Sequence, residues 1–358
     1  MSARAKAESP STRKKRSARS LTRSKSDSQI ESKGVRVSSS DASDVGEEKI
    51  HAVNPSGKKL EGVALVEKAI DTLNTLPGRL PDDDGLPGGL VIWPEKKRPI
   101  IIGDLHANRD HLALILDHET NRADLASGKA ACILIGDALH DDRTGHMKDM
   151  HSSVEILDDV LRLIVQYPGN VYYIRGNHDT FDGRLRKSGI YQGLELQEAL
   201  INEKGEDYAE SVERFFESMP VFIIGKYFVV THAGPPRGGI VREELINIKN
   251  YPEKFHQLIW TRVNEFHGNP SLREYGETDL RLALKLLDMP EDTHFIVGHN
   301  PIWSDGNTTG IWLDVIGIKN HHILYSGYGS VAPYITFIDG VMHVKTAAVK
   351  KTEVYNYG

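Results

Sequence analysis

The stretch RPIIIGDLHANRDHL, Arg98 to Leu112, runs three isoleucines into Gly103, Asp104, Leu105 and His106. β-Branched residues between a proline and a glycine read as a short buried strand, which places Asp104 and His106 at its carboxyl end. Ligands bind at such ends in α/β sheets because the strands behind are rigid and the loops ahead are open. A single Asp after a strand commonly serves a turn or caps a helix. Here the pattern recurs. ACILIGDALHDDR presents Asp137, VYYIRGNHDTF presents Asn177 and His178, YFVVTHAGPP presents His232, and FIVGHNPIW presents His299. Carboxylates and imidazoles gathered on one rim would repel or lie unsatisfied without a cation between them.

Imidazole, carboxylate and amide oxygen without thiolate suit manganese, iron or zinc better than calcium or an iron–sulfur cluster. Six or seven ligands exceed one tetrahedral ion, so two divalent or trivalent ions sharing a carboxylate is the economical reading. Two such ions acidify a water between them and hold phosphoryl oxygens for in-line attack, with no covalent enzyme intermediate. Cys132, the one cysteine, lies inside a predicted strand and reads as core. A single cysteine excludes a disulfide framework and fits a reducing cytoplasm.

The ordered motifs GDLHA, GDALHDDR, RGNHD, THAG and GHNP resemble those of the calcineurin-like metallophosphoesterases. The segments between them, RGNHDTFDGRLRKSGIYQG, VERFFESMPVFIIGKYFVVTHAGPP and LIWTR, resemble the phosphoprotein phosphatase (Ser/Thr phosphatase-like) branch, from about Val63 to about Asp339. The resemblance implies an α/β fold: a two-sheet β-sandwich flanked by helices, with a dinuclear metal site at strand ends. It also implies Asp104 and His106 on a first metal, Asn177, His232 and His299 on a second, and Asp137 bridging both. His178 matches the general acid, and Arg175 a cation that supports the metal centre.

The sequence departs from that branch after Asp137. The usual orienting Asp and phosphate-binding Arg stand three and four positions on, where this chain has His140 and Asp141. Either the loop bulges so that Asp142 and Arg143 reach the site, or Asp141 orients His178 and the arginine clamp is lost; the expectation taken here is Asp141. Arg143 stays a candidate for substrate binding, as do Arg262 and Arg273, one of which would replace the later phosphate-binding arginine. A site with fewer arginine clamps would accept phosphotyrosine as well as phosphoserine and phosphothreonine.

These residues need a body to position them. Helical patterns such as HSSVEILDDVLRLIVQYP alternate with short apolar runs, which by themselves indicate α/β. EGVALVEKAIDTLNTLP has helical spacing at Val63, Val66, Ile70 and Leu73, and PGRLPDDDGLPGG reads as a loop. Residues 60–350 are taken as the catalytic domain. Residues 1–50 are taken as a disordered basic tail rich in Ser, Arg and Lys. The first 36 residues hold 11 of the 44 Lys+Arg and 3 of the 50 Asp+Glu, so the tail is basic and the remainder acidic. Such a segment cannot bury enough apolar surface to offset its ordering entropy. It suits an acidic partner, nucleic acid, a membrane surface or the acidic body itself, and its RKKR matches a nuclear-localisation pattern. No apolar run is long enough to cross a membrane.

The function implied is a metal-dependent phosphomonoesterase acting on phosphorylated protein or peptide, in the cytoplasm or nucleus, with nucleic acid not expected as substrate. The alternatives are a dinucleoside polyphosphate or other small-molecule phosphoesterase of the same superfamily, and a catalytically dead binding module, against which the complete ligand set argues.

Overall fold

The structure, a computed structural model, describes residues 59–141, 150–266, 269–302 and 307–348. The basic tail lies outside the described residues. From the amino end the chain forms helix α1 (Gly62–Asn74), strands β1 (Arg79–Pro81), β2 (Pro87–Ile92) and β3 (Arg98–Ile102), helices α2 (Arg109–Asp117) and α3 (Asn121–Ser127), strand β4 (Ala130–Leu134), helix α4 (His151–Gln166) and strand β5 (Val171–Tyr173). A hairpin of β6 (Arg186–Lys187) and β7 (Ile190–Tyr191) leads into helices α5 (Gln192–Lys204) and α6 (Glu206–Ser218), then strands β8 (Phe222–Ile224) and β9 (Phe228–Thr231). Next come helices α7 (Arg242–Ile246) and α8 (Pro252–Trp260), the short pair β10 (Arg262–Val263) and β11 (Glu274–Tyr275), and helix α9 (Glu277–Leu286). Strands β12 (His294–Val297), β13 (Ile311–Leu313), β14 (His321–Leu324), β15 (Ala332–Ile338) and β16 (Val341–Ala347) complete the described chain.

Two main sheets result. One has the order β16-β15-β3-β4-β5 and the other β1-β2-β8-β9-β12-β14-β13. Side chains alternate between the two faces of a strand, and the seven-stranded sheet uses both faces for burial. Ile223, Val230 and Ile296 join a core shared with β3, β4 and β5. Their neighbours Phe222, Val229, Phe295 and Val297 instead enter a second core with Leu258 of α8 and Leu280, Ala283 and Leu284 of α9. On the far side of the five-stranded sheet, Tyr173 meets Phe215 of α6 with ring centroids 6.3 Å apart, and Leu134, its partner across the strands, faces the same way. The fold is therefore mixed α/β, two main sheets flanked by helices, as the motifs implied.

Two local expectations are corrected. Helix α1 forms where its spacing placed it, but its buried residues are Leu65, Val66, Ala69, Thr72 and Leu73; Val63 is exposed and Ile70 half-buried. The buried face is wider than one stripe because α1 packs against both α4 and α6. The segment PGRLPDDDGLPGG is not all loop, since β1 and the start of β2 form an antiparallel edge pair within it. Prolines are tolerated at such an edge. Arg79 holds the pair, its Nε donating to Gly88 O at 2.9 Å and Nη1 to Leu73 O at 2.9 Å.

Strand register brings the rim together. β3, β4 and β5 run parallel, with Ile102 opposite Leu134 and Leu134 opposite Tyr173. Asp104, Asp137 and Asn177 thus leave their strands side by side. β9 and β12 are also parallel, with Val230 opposite Ile296, and the Gly298 N–H donates to His232 O at 2.9 Å just beyond them. Cys132 is fully buried in β4, and burial pushes its thiol up, as a core residue requires.

Candidate metal centre

Each strand end turns sharply so that its polar side chain faces inward. His106 (φ 43°), Asp137 (φ 52°) and His299 (φ 61°) all adopt left-handed backbone, which costs a non-glycine residue on the order of 1 kcal/mol. Backbone bonds hold the turns in place. Leu105 and His106 N–H both donate to Asp137 O, at 3.1 and 3.0 Å, and Gly327 N–H donates to Asp104 O at 2.7 Å. Beyond His106 the chain enters α2, which Asn108 caps by accepting from His111 N–H at 3.2 Å.

Asp104, His106, Asp137, Asn177, His232 and His299 are all buried. One ligand atom each from Asp104, His106 and Asp137 lie within 4.8 Å of one another, and so do atoms from Asp137, His232 and His299. Asp137 belongs to both groups, the position a bridging carboxylate requires. Asn177 Oδ1 lies 3.0 Å from His232 Nε2 and 2.7 Å from His299 Nδ1, which places it with the second group.

The donor set fits two cations. His106 Nδ1 lies 3.0 Å from His140 O, His232 Nδ1 lies 2.8 Å from Ile135 O, and His299 Nε2 lies 3.2 Å from Trp260 O. A proton on the nitrogen beside each backbone carbonyl would leave the other nitrogen, the one facing the cluster, with its lone pair for a cation. A hydrogen bond from the remote ring nitrogen is what fixes the tautomer of a metal-binding imidazole. Asp104 Oδ1 is buried with no hydrogen-bond partner, an expensive condition that a cation relieves. A Cβ on Gly176 would strike Asp137 Oδ1, and one on Gly298 would strike Asp104 Oδ1. The glycines of the GNH and GH motifs therefore make room for the two carboxylates.

Charge is divided unevenly across the cluster. Burial, followed by the neighbouring Asp137, pushes Asp104 well above the usual carboxylate range. Burial would raise Asp137 too, but His232, His178 and His106 hold it well below that range. Burial would lower His232, yet Asp137 and Asp104 carry it up to about 9. Metal binding at such a site displaces protons, so affinity rises with pH.

Asp179 is a further buried anchor. It accepts from Tyr173 Oη at 2.5 Å through one oxygen, and from Gly176 and Asp137 N–H at 2.8 and 3.2 Å through the other. It ties the turn of Asn177 to the turn of Asp137.

His178 sits beside the cluster, its Nε2 3.9 Å from Asp137 Oδ2 and its N–H donating to Asp137 Oδ1 at 2.8 Å. The structure brings the His178 ring to His140. The ring's Nδ1 meets His140 Nδ1 at 3.1 Å, and His140 Nε2 lies 3.1 Å from Gln192 O. With the proton on Nε2 shared with that carbonyl, His140 Nδ1 is left to accept from His178. His140 has left-handed backbone (φ 67°), and both His140 and Asp141 are buried. Asp142 and Arg143 lie outside the described residues.

Arg175 is also corrected. Its side chain borders a separate cavity with Phe255, Glu217 and Lys249, lined by none of the six cluster residues. Of the later arginines, Arg262 reaches the site, with Nε 3.4 Å from His299 Nε2. Arg273 is exposed, and its backbone carbonyl accepts from Arg262 N–H at 3.1 Å. Two neighbours went unread in the sequence: Tyr325 stacks on His106 at 5.2 Å between ring centroids, and Trp260 packs edge-on to His299 at 5.9 Å. His111, His118, His321 and His322 lie away from the cluster, bonded to Ser326 O, Tyr334, Tyr275 and His294 respectively.

A sandwich whose strand ends gather carboxylates and imidazoles around a shared aspartate defines a metallophosphoesterase. Residues 97–326 match the model of the calcineurin-like phosphoesterase family, and the chain belongs to that family of hydrolases. No curated protein matches it in sequence. Among solved structures, a protein serine/threonine phosphatase from Saccharomyces cerevisiae with similarity to human phosphatase PP5 superposes with TM-score 0.60 at 16% identity, over 83% of this chain and 92% of that one. A cold-active protein-tyrosine phosphatase of a psychrophilic Shewanella species superposes with TM-score 0.50 at 16% identity, over 83% and 90%. At such identities the likeness is one of fold. No helix among the described residues is long and apolar enough to cross a membrane.

Proposed function

We propose that this chain is a metal-dependent phosphomonoesterase acting on phosphorylated side chains of proteins or peptides, with aryl esters such as phosphotyrosine favoured over phosphoserine and phosphothreonine. The carrying observation is that His178 Nδ1 meets the imidazole of His140. Asp104, His106 and Asp137 would hold one ion, and Asp137, Asn177, His232 and His299 the other. Ions of manganese, iron or zinc bound there would supply Lewis acidity and an acidified water. The chain's own task is then to position the ester and to manage the proton of the leaving oxygen. His178 Nε2 faces the cluster while its Nδ1–H is tied to His140, so it is placed to serve the leaving group. A carboxylate partner would stabilise an imidazolium by charge, whereas a neutral imidazole offers only a hydrogen bond. His178 is thus a weaker acid catalyst than a carboxylate-backed histidine would allow. Phenolates leave with less help than alkoxides. Arg262, beside His299, is the arginine best placed to meet a phosphoryl oxygen.

Turnover by metal-reconstituted protein of matched phosphotyrosine, phosphoserine and phosphothreonine peptides, with diadenosine tetraphosphate alongside, tests this. The expected order of kcat/KM places phosphotyrosine at least about tenfold ahead of the alkyl esters. Preference for diadenosine tetraphosphate would replace the reading with a small-molecule one. Residues 1–50 are assigned no catalytic part, so a chain lacking them should hydrolyse p-nitrophenyl phosphate at the same rate.

A further inference from the structure

Arg175 ends β5's run toward the metal centre but spends its side chain elsewhere. Its N–H donates to Pro220 O at 2.9 Å, and its guanidinium carbon sits 5.4 Å from the centroid of the Phe255 ring. Its Nε is buried and has no hydrogen-bond partner, and among the described residues no carboxylate forms an ion pair with the guanidinium. A buried donor left unmade is costly, so such groups mark a missing partner. The guanidinium borders a cavity of about 370 Å³. Met219 and Ile248, both buried, form apolar wall with Phe255, while Lys249 and Glu217 stand exposed at the mouth. Arg79 on another wall is a different case, because its donors are already engaged by the carbonyls of Leu73, Pro87 and Gly88.

A planar fork of donors with nothing to grip, set over an aromatic ring in a mostly apolar chamber, is complementary to a carboxylate on an apolar body. The charges lining the chamber, Arg79, Arg175 and Lys249 against Glu217, sum to two positive charges, and with Arg79 held by backbone carbonyls the lining arginine fork left open to a ligand is that of Arg175. The volume falls at the lower end of small-molecule sites, enough for roughly ten to fifteen non-hydrogen atoms. We infer that this cavity is a second binding site, separate from the metal centre, for a small apolar monocarboxylate whose carboxylate pairs with Arg175 and whose body packs on Phe255, Met219 and Ile248. The inference does not depend on which phosphate ester the metal centre hydrolyses.

Calorimetric titration of the full-length, metal-loaded protein with 3-phenylpropionate tests it, with the neutral 3-phenylpropan-1-ol as control. The expected result is saturable binding with Kd at or below about 1 mM, and at least about tenfold weaker binding of the alcohol. Arg175→Gln and Phe255→Ala should each weaken 3-phenylpropionate at least about tenfold, and Glu217→Gln should tighten it severalfold by removing a like charge. A carboxylate bound on the metal ions would be indifferent to Phe255→Ala and Glu217→Gln. Should Arg175→Gln fail to fold, those two variants and the alcohol still decide. Absence of saturable binding, equal affinity of acid and alcohol, or affinity unchanged in both Phe255→Ala and Glu217→Gln would overturn the assignment.

Discussion

Asp137→Asn is expected to reduce phosphatase turnover by more than about 100-fold and to lower bound metal below two ions per chain. Loss of a partner one layer removed from a metal commonly costs ~10–100-fold in affinity. Asp137 is closer than that, since its carboxylate belongs to both ligand groups. The amide of Asn has one oxygen and no charge, so it cannot serve both groups or balance His232, which Asp137 carries up to about 9. The buried His178 N–H, which donates to Asp137 Oδ1, would also face a changed acceptor. Metal analysis by mass spectrometry beside p-nitrophenyl phosphate turnover reads both effects. A variant that keeps two ions and near-normal turnover would remove Asp137 from the bridging position.

The second large effect concerns the His178–His140 pair. His178→Asn should reduce kcat for a phosphoserine peptide by ~10²–10⁴-fold, the usual scale of general acid catalysis, while p-nitrophenyl phosphate loses less than about tenfold. Bound metal should be unchanged, because His178 belongs to neither ligand group. His140→Ala should show the same selectivity at smaller size. Its ring orients His178, and its carbonyl, which accepts from His106 Nδ1–H, survives the substitution. Asp141→Asn should spare this selectivity, because the His178 ring bonds to His140 instead. Equal losses on both esters for His178→Asn would make it a structural residue. A selective loss in Asp141→Asn but not His140→Ala would return the orienting role to the carboxylate.

The difference between Asp141 and His140 shows where sequence reading ends. Asp104, Asp137, Asn177, His232 and His299 were legible because each follows an apolar run, and a strand has two faces and one exit. The supports were not. His106 leans on the carbonyl of His140, 34 residues on, His232 on that of Ile135, 97 residues back, and His299 on that of Trp260, 39 residues back. Backbone carbonyls carry no residue identity, so no side-chain pattern announces them. His140 was visible only as a residue out of place. It sits in a left-handed turn (φ 67°) that no side-chain pattern announces. Arg175 was assigned to the metal centre from the family resemblance of its motif, and its side chain packs over Phe255 instead.

Two ions should share Asp137 at the strand ends, and anomalous diffraction from crystals grown with manganese would locate them. Two anomalous peaks are expected about 3.5–4 Å apart, the usual spacing of two-metal hydrolytic sites. One should be bounded by Asp104 and His106, the other by Asn177, His232 and His299, with the Asp137 carboxylate between them. A single peak, or two peaks of which neither touches Asp137, would contradict the account.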